Sequence, residues 1–183
     1  MALTFRETHL AGAFIIDVEY FADSRGGFAR TFCRDEFAAA GLPSTFVQSA
    51  TSFNTQAGTL RGLHFQQPPH SQAKLVRVTA GAIYDVLVDL RPESATCGRH
   101  FSVELSIENR RMLFIPKQFA HGFLTLADAT EIEYQFDEAY APGSEGGIHY
   151  ADPDLGIEWP RRVEVIADRD ASLPRLRECA ALR

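Results

Sequence analysis

The sequence predicts an all-β fold, a sandwich or closed barrel carrying a few short helices. Three observations lead there. Apolar residues alternate with polar ones over short runs along most of the chain. Most of those runs are separated by Gly, Pro, Ser or Asn, the residues that turns require. Helical periodicity is confined to two brief stretches, so strands must supply the core, and many short strands at this spacing close into a sandwich or barrel.

Taken in chain order, the first strand signal is "GAFIIDVEYF". A short helix follows at "RDEFAAAGL", where Asp35 and Glu36 favour the helix start and Gly41 ends it. "TLRGLHFQ", "KLVRVT", "AIYDVLVDL", "HFSVELSI", "RMLFIP", "GFLTL" and "TEIEYQF" continue the strand series. A second helix is expected in "SLPRLRECAALR", with Pro174 blurring its start. At 183 residues without repeats or linker-like tracts, residues 1–183 are expected to form one domain.

Composition narrows the function. A net charge of -6 argues against broad nucleic-acid binding, which needs a basic face to neutralise phosphates. Cys33, Cys97 and Cys179 are too scattered for a disulfide framework or a zinc site, and read as free thiols of a reducing compartment. The opening "MALTFRETHL" has no apolar signal core and no run of 18 apolar residues follows, so a cytoplasmic protein without membrane contact is expected. No glycine-rich phosphate loop or Gly-x-Ser-x-Gly elbow is present.

Strand alternation indicates where ionisable side chains point. Lys74 shares a face with Val76 and Val78, a costly place for an ammonium unless it reaches water or meets an anion. His121 lies between Phe119 and Phe123, and Tyr134 between Ile132 and Phe136. Each alone is an ordinary core residue. Together with His64 they direct four protic groups into one interior, which marks a polar pocket. Strict alternation separates Arg61 from His64, and only a bulge at Gly62 would bring Arg61 into the same pocket. A metal site is disfavoured, because the same-face neighbours of His64 and His121 are Gly62, Gln66, Phe119 and Phe123.

"TLRGLHFQ", "QAKLVRVTAGAIYDVLVDLRPES", "RMLFIPKQFAHGFLTL", "YAPGSEGGI" and "GIEWP", in that order, resemble the successive signatures of the dTDP-4-dehydrorhamnose 3,5-epimerase family. The resemblance runs from about Asp17 to Pro174. It implies a cupin-type jelly-roll β-barrel and an isomerase that needs neither metal nor cofactor. The implied substrate is a nucleotide-diphospho-4-keto-6-deoxy sugar, and the implied assembly is a homodimer to which "AFIIDVEYF" would lend an exchanged edge strand. By the same resemblance His64 is the base, Asp170 its supporting carboxylate, Tyr134 the acid and Lys74 the enolate stabiliser. His121 stands beside the site, Tyr140 stacks on the nucleotide base, Arg25, Arg61 and Arg169 meet the diphosphate, and Gln48 and Glu145 complete the binding set.

Those residue types suit that chemistry. Loss of a proton alpha to a ketone puts charge on the carbonyl oxygen, which a pre-placed ammonium stabilises. An imidazole with an ordinary pKa of about 6.5 is a competent base near neutrality, and a carboxylate fixes its tautomer. Asp168 competes with Asp170 for that supporting role. The chain departs from the family at "QSA", where Gln48 is followed by Ser49 and Ala50 instead of Asp and Asn, positions read as nucleotide contacts. Two other readings stand beside the epimerase: a sugar-nucleotide-binding barrel without turnover, and a metal-dependent cupin isomerase or dioxygenase.

Overall fold

Two sheets stacked face to face, antiparallel except where a short last strand runs parallel to its neighbour, organise the computed structural model, which describes residues 2–179. The strands are β1 (Leu3–Glu7), β2 (Phe14–Val18), β3 (Phe21–Asp23), β4 (Gly26–Phe28), β5 (Gln48–Asn54), β6 (Thr59–Gln66) and β7 (Lys74–Ala80). They continue as β8 (Ala82–Asp89), β9 (His100–Ser106), β10 (Met112–Ile115), β11 (Phe119–Thr125), β12 (Thr130–Phe136), β13 (Glu145–Gly147) and β14 (Val165–Ile166). Helix α1 covers Arg34–Ala39 and α2 covers Asp168–Ala171. The first sheet runs β1-β2-β10-β7-β12-β5; the second runs β13-β6-β11-β8-β9, with β14 beside β6.

The layering follows from which faces are apolar. Between the sheets, Val76, Val78, Leu113 and Ile132 of the first meet Ile83, Leu87, Leu105, Phe119 and Phe123 of the second. Outside the first sheet, Phe37 of α1 packs with Phe32 and Phe46 over Ile16, Leu75, Met112 and Phe114. Outside the second, Ile148, Leu155 and Leu176 cover Leu63, Phe65, Val86, Val88 and Ala120. Strands β10 and β11 are therefore buried on both faces. All seven residues of β11 are buried, which is why its sequence shows no clean alternation.

The all-β expectation holds, and of the two forms it allowed the chain takes the sandwich: among the described residues no ladder joins the sheets into a ring. Helix α1 falls within the expected "RDEFAAAGL". The expected C-terminal helix is represented by one 3-10 turn at Leu176–Glu178, and residues 180–183 lie outside the described residues. "AFIIDVEYF" differs from expectation. Its β2 pairs with β1 on one side and β10 on the other, an inner strand whose Ile16 is fully buried, and the sheet edges are β1 and β5. Among the described residues no helix is long and apolar enough to cross a membrane.

Candidate active site

A cavity of about 440 Å³ opens between the two sheets. The first sheet contributes Lys74 from β7, Tyr134 and Phe136 from β12, and Ala50, Thr51 and Ser52 from β5. Across from them stand Arg61 and His64 of β6 and His121, Gly122 and Phe123 of β11. Ala167 and two residues of α2, Arg169 and Asp170, close one side. His64, Lys74, His121 and Tyr134 thus meet as their strand faces predict.

Arg61 joins them through a local irregularity. His121 is the ladder partner of His64, but Phe123 is the partner of Arg61, so three steps on β6 oppose two on β11. The extra residue falls at Gly62–Leu63 and turns Arg61 away from the face that Leu63 and Phe65 share in the outer core. Glycine is required twice here. Gly62 sits at φ +125°, and a Cβ on it would lie 2.4 Å from the Gly122 Cα; one on Gly122 would lie 2.7 Å from the Arg61 carbonyl oxygen.

Asp170 ties this bulge to the imidazole. One carboxylate oxygen, Oδ1, lies 2.7 Å from His64 Nε2, and Oδ2 accepts the Gly62 N–H at 3.0 Å. Asp170 is buried, whereas Asp168 is exposed, which separates the two candidates geometrically. Burial lowers the His64 pKa below the ordinary imidazole value; Asp170 opposes this, and the Lys74 and Arg169 charges add to the lowering. The carboxylate therefore favours the imidazolium, as expected, but desolvation outweighs it and the ring is neutral near pH 7.

A second pair lies deeper. His121 Nε2 is 2.6 Å from Asp85 Oδ1, both side chains nearly inaccessible, and Asp85 Oδ2 has no hydrogen-bond partner among the described residues. Burial brings the Lys74 pKa down to about 8, and the Asp85 charge resists the change. Tyr134 packs edge-on against His121 at 6.1 Å and parallel to Phe136 at 5.9 Å. Burial raises its phenol pKa, as does the Asp85 charge, with Arg61 acting against them. The result is a neutral imidazole, a poised ammonium and a protonated phenol around one space.

A neighbouring cavity of about 210 Å³ shares His64, Lys74 and Arg169 with the first and is lined further out by Tyr140 and Glu145. The Tyr140 hydroxyl donates to Glu145, and its backbone N–H donates to Gln48 Oε1 at 3.0 Å. Gln48 therefore meets the site through Tyr140. Arg25 lines neither cavity: it sits at the turn between β3 and β4, exposed and paired with Asp23 at 2.6 Å. Ala50 is the ladder partner of Tyr134, so this departure falls beside the phenol and not beside Tyr140.

Sequence reasoning passed over two residues. Asp85 shares the inner face of β8 with Ile83 and Leu87, and a carboxylate in that register was the available signal. Asn54, 2% exposed, accepts from Arg61 Nε at 2.8 Å, and no sequence pattern marks it.

The comparisons with known proteins agree with one another. A family model described as dTDP-4-dehydrorhamnose 3,5-epimerase matches residues 7–178. The dTDP-4-dehydrorhamnose 3,5-epimerase of Methanothermobacter thermautotrophicus is 46% identical over 177 residues, 95% of each chain. The crystal structure of the Bacillus anthracis dTDP-4-dehydrorhamnose 3,5-epimerase with TDP and PPi bound superposes with a TM-score of 0.93 at 40% identity, covering 96% of this chain and 100% of that one. The Legionella pneumophila dTDP-6-deoxy-D-glucose-3,5-epimerase in complex with dTDP-4-keto-L-rhamnose superposes with a TM-score of 0.91 at 38% identity, covering 97% and 94%. By sequence across nearly its whole length and by fold, this chain belongs to the dTDP-4-dehydrorhamnose 3,5-epimerase family.

Proposed function

We propose that this chain inverts C3 and C5 of a dTDP-4-keto-6-deoxy sugar by removing and returning protons alpha to the ketone. The observation that carries the reading is that His64 projects from one sheet and Tyr134 from the other across a single cavity. A sugar ring held between the sheets would meet a base on one face and an acid on the opposite face, the arrangement that inversion of a stereocentre requires.

The steps use the groups as they stand. His64 binds Asp170 through Nε2, which leaves Nδ1 as the proton acceptor, and its lowered pKa keeps that lone pair available at neutral pH. As the C–H bond breaks, its electron pair moves into the ring and charge gathers on the ketone oxygen. Lys74 supplies the ammonium for that oxygen, and because the charge grows toward the transition state the interaction accelerates the step. Tyr134, held protonated by burial, delivers a proton from the far side. Arg61 and Arg169 are assigned to the diphosphate and the Tyr140 ring to the base, a local cationic field inside an acidic chain.

A homodimer is part of the same reading. Tyr20, Phe21 and Phe28 are exposed on or beside the β3–β4 hairpin that carries Arg25. Because Arg25 lines neither cavity of its own chain, its contribution to substrate would come from a second copy.

Incubation in D2O with the keto sugar should place deuterium at C3 and C5, and His64→Ala should abolish it; exchange unaffected by the substitution would overturn the assignment. The pH profile of kcat/KM should be bell-shaped. Activity rises as His64 loses its proton below pH 6.5 and falls as Lys74 loses its charge near pH 8. Asp170→Asn removes an influence that raises the His64 pKa, so its acidic limb should move to lower pH. Lys74→Gln should lose the alkaline limb and about 10² in rate. Mixed His64→Ala and Arg25→Ala chains should regain activity if Arg25 serves the other copy's site, and stay inactive if it serves its own.

A further inference from the structure

The bulge at Gly62 frees Arg61 from its strand face but does not hold it. An arginine side chain has about 2 kcal/mol of rotamer entropy to lose, so a guanidinium that stays over a cavity needs a partner. The described residues offer it no carboxylate, in contrast to Arg30, Arg77 and Arg91, which pair with Glu36, Glu133 and Asp89. Its contacts are Asn54 Oδ1, which accepts from Nε at 2.8 Å, and the Phe53 carbonyl, which accepts from Nη2 at 3.4 Å.

Asn54 is suited to this by its own surroundings. It ends β5 opposite Thr130 of β12, on the face that also carries Ala50 and Ser52 into the cavity lining. Its amide nitrogen donates to the Thr130 carbonyl at 3.3 Å and faces the Ser52 carbonyl at 3.5 Å. The Ser52 hydroxyl, 3.4 Å away, can pair with either end of the amide, but the two carbonyls only accept and the Arg61 Nε–H only donates. Turning the amide over would set oxygen against both carbonyls and N–H against N–H, so the Oδ1 atom must face Arg61. The acceptor is also neutral. It and the Phe53 carbonyl, likewise neutral, occupy two of the five guanidinium N–H groups without cancelling the charge, leaving the others to an anion in the cavity.

We infer that Asn54 is a positioning residue that holds Arg61 over the cavity as an uncompensated cation, and so sets affinity for the anionic half of the substrate. The identity of that anion rests on the function proposed above; the grip on Arg61 does not.

The test pairs two readouts on the intact protein. Calorimetry with dTDP should show roughly tenfold weaker binding for Asn54→Ala, the size expected for one hydrogen bond to a charged group. Asn54→Asp should bind more weakly too, because its carboxylate holds the guanidinium and neutralises it. In an Arg61→Ala background neither substitution should weaken binding further. NMR of the Arg61 Nε–H, assigned by its loss in Arg61→Ala, should show a protected signal in the parent and in Asn54→Asp but not in Asn54→Ala. Asn54→Ser, too short to reach Nε, carries the same expectation should the alanine variant fail to fold.

Parent-like dTDP binding by Asn54→Ala, an equal loss in the Arg61→Ala background, or an Nε–H signal unchanged in Asn54→Ala would each overturn the inference. A parent protein that binds no dTDP would instead overturn the nucleotide reading, and the NMR comparison would still decide whether Asn54 holds Arg61.

Discussion

The carboxylate of Asp170 is the contact on which the site depends, because its two oxygens hold two different things. One fixes the His64 imidazole, and the other accepts the Gly62 N–H at the bulge that turns Arg61 into the cavity. Hydrogen bonds to a charged group are worth about 1.5–3 kcal/mol each, so a buried carboxylate satisfied by both donors is a strong local constraint. It also explains why a segment 106 residues beyond His64 in sequence closes the cavity wall. The bulge is possible only because β6 and β11 approach so closely that neither Gly62 nor Gly122 has room for a Cβ.

The rest of the site follows from stacking two sheets whose inner faces are mostly apolar. Ionisable groups placed there are desolvated, and desolvation drives each toward its neutral form. That is what a base and an acid need near neutral pH, and it is the opposite of what an ammonium needs. Asp85 answers the difficulty: its buried charge resists the loss of the Lys74 proton while one of its oxygens holds His121. In the proposed reaction the growing enolate completes the balance, so an arrangement that is uncomfortable when empty becomes favourable as the transition state forms.

Much of this was legible in the sequence wherever a strand has distinct faces. Alternation put Lys74 with Val76 and Val78, and Tyr134 with Ile132 and Phe136, because β7 and β12 bury one face between the sheets and keep half-buried polar residues such as Arg77 and Glu133 on the other. On β11 it set His121 with Phe119 and Phe123 although both faces are buried, but it misplaces Arg61, because one added residue at Gly62 reverses the pattern. Asp170 and Tyr140 came from the family resemblance; no local pattern brings α2 to β6. Asp85 and Asn54 escaped because their significance is tertiary. One is a carboxylate in an apolar register, and the other is a small amide whose partners lie on β6 and β12.

The central claim is that His64 and Tyr134 work on opposite faces of one sugar ring. The most direct measurement is NMR of a dTDP-4-keto-6-deoxy sugar recovered from Tyr134→Phe protein in D2O, reading isotope and configuration at each carbon together. The expected result is deuterium uptake with the original configuration retained, because His64 still removes the proton while nothing delivers one from the far side. Inversion at the parent rate would contradict it.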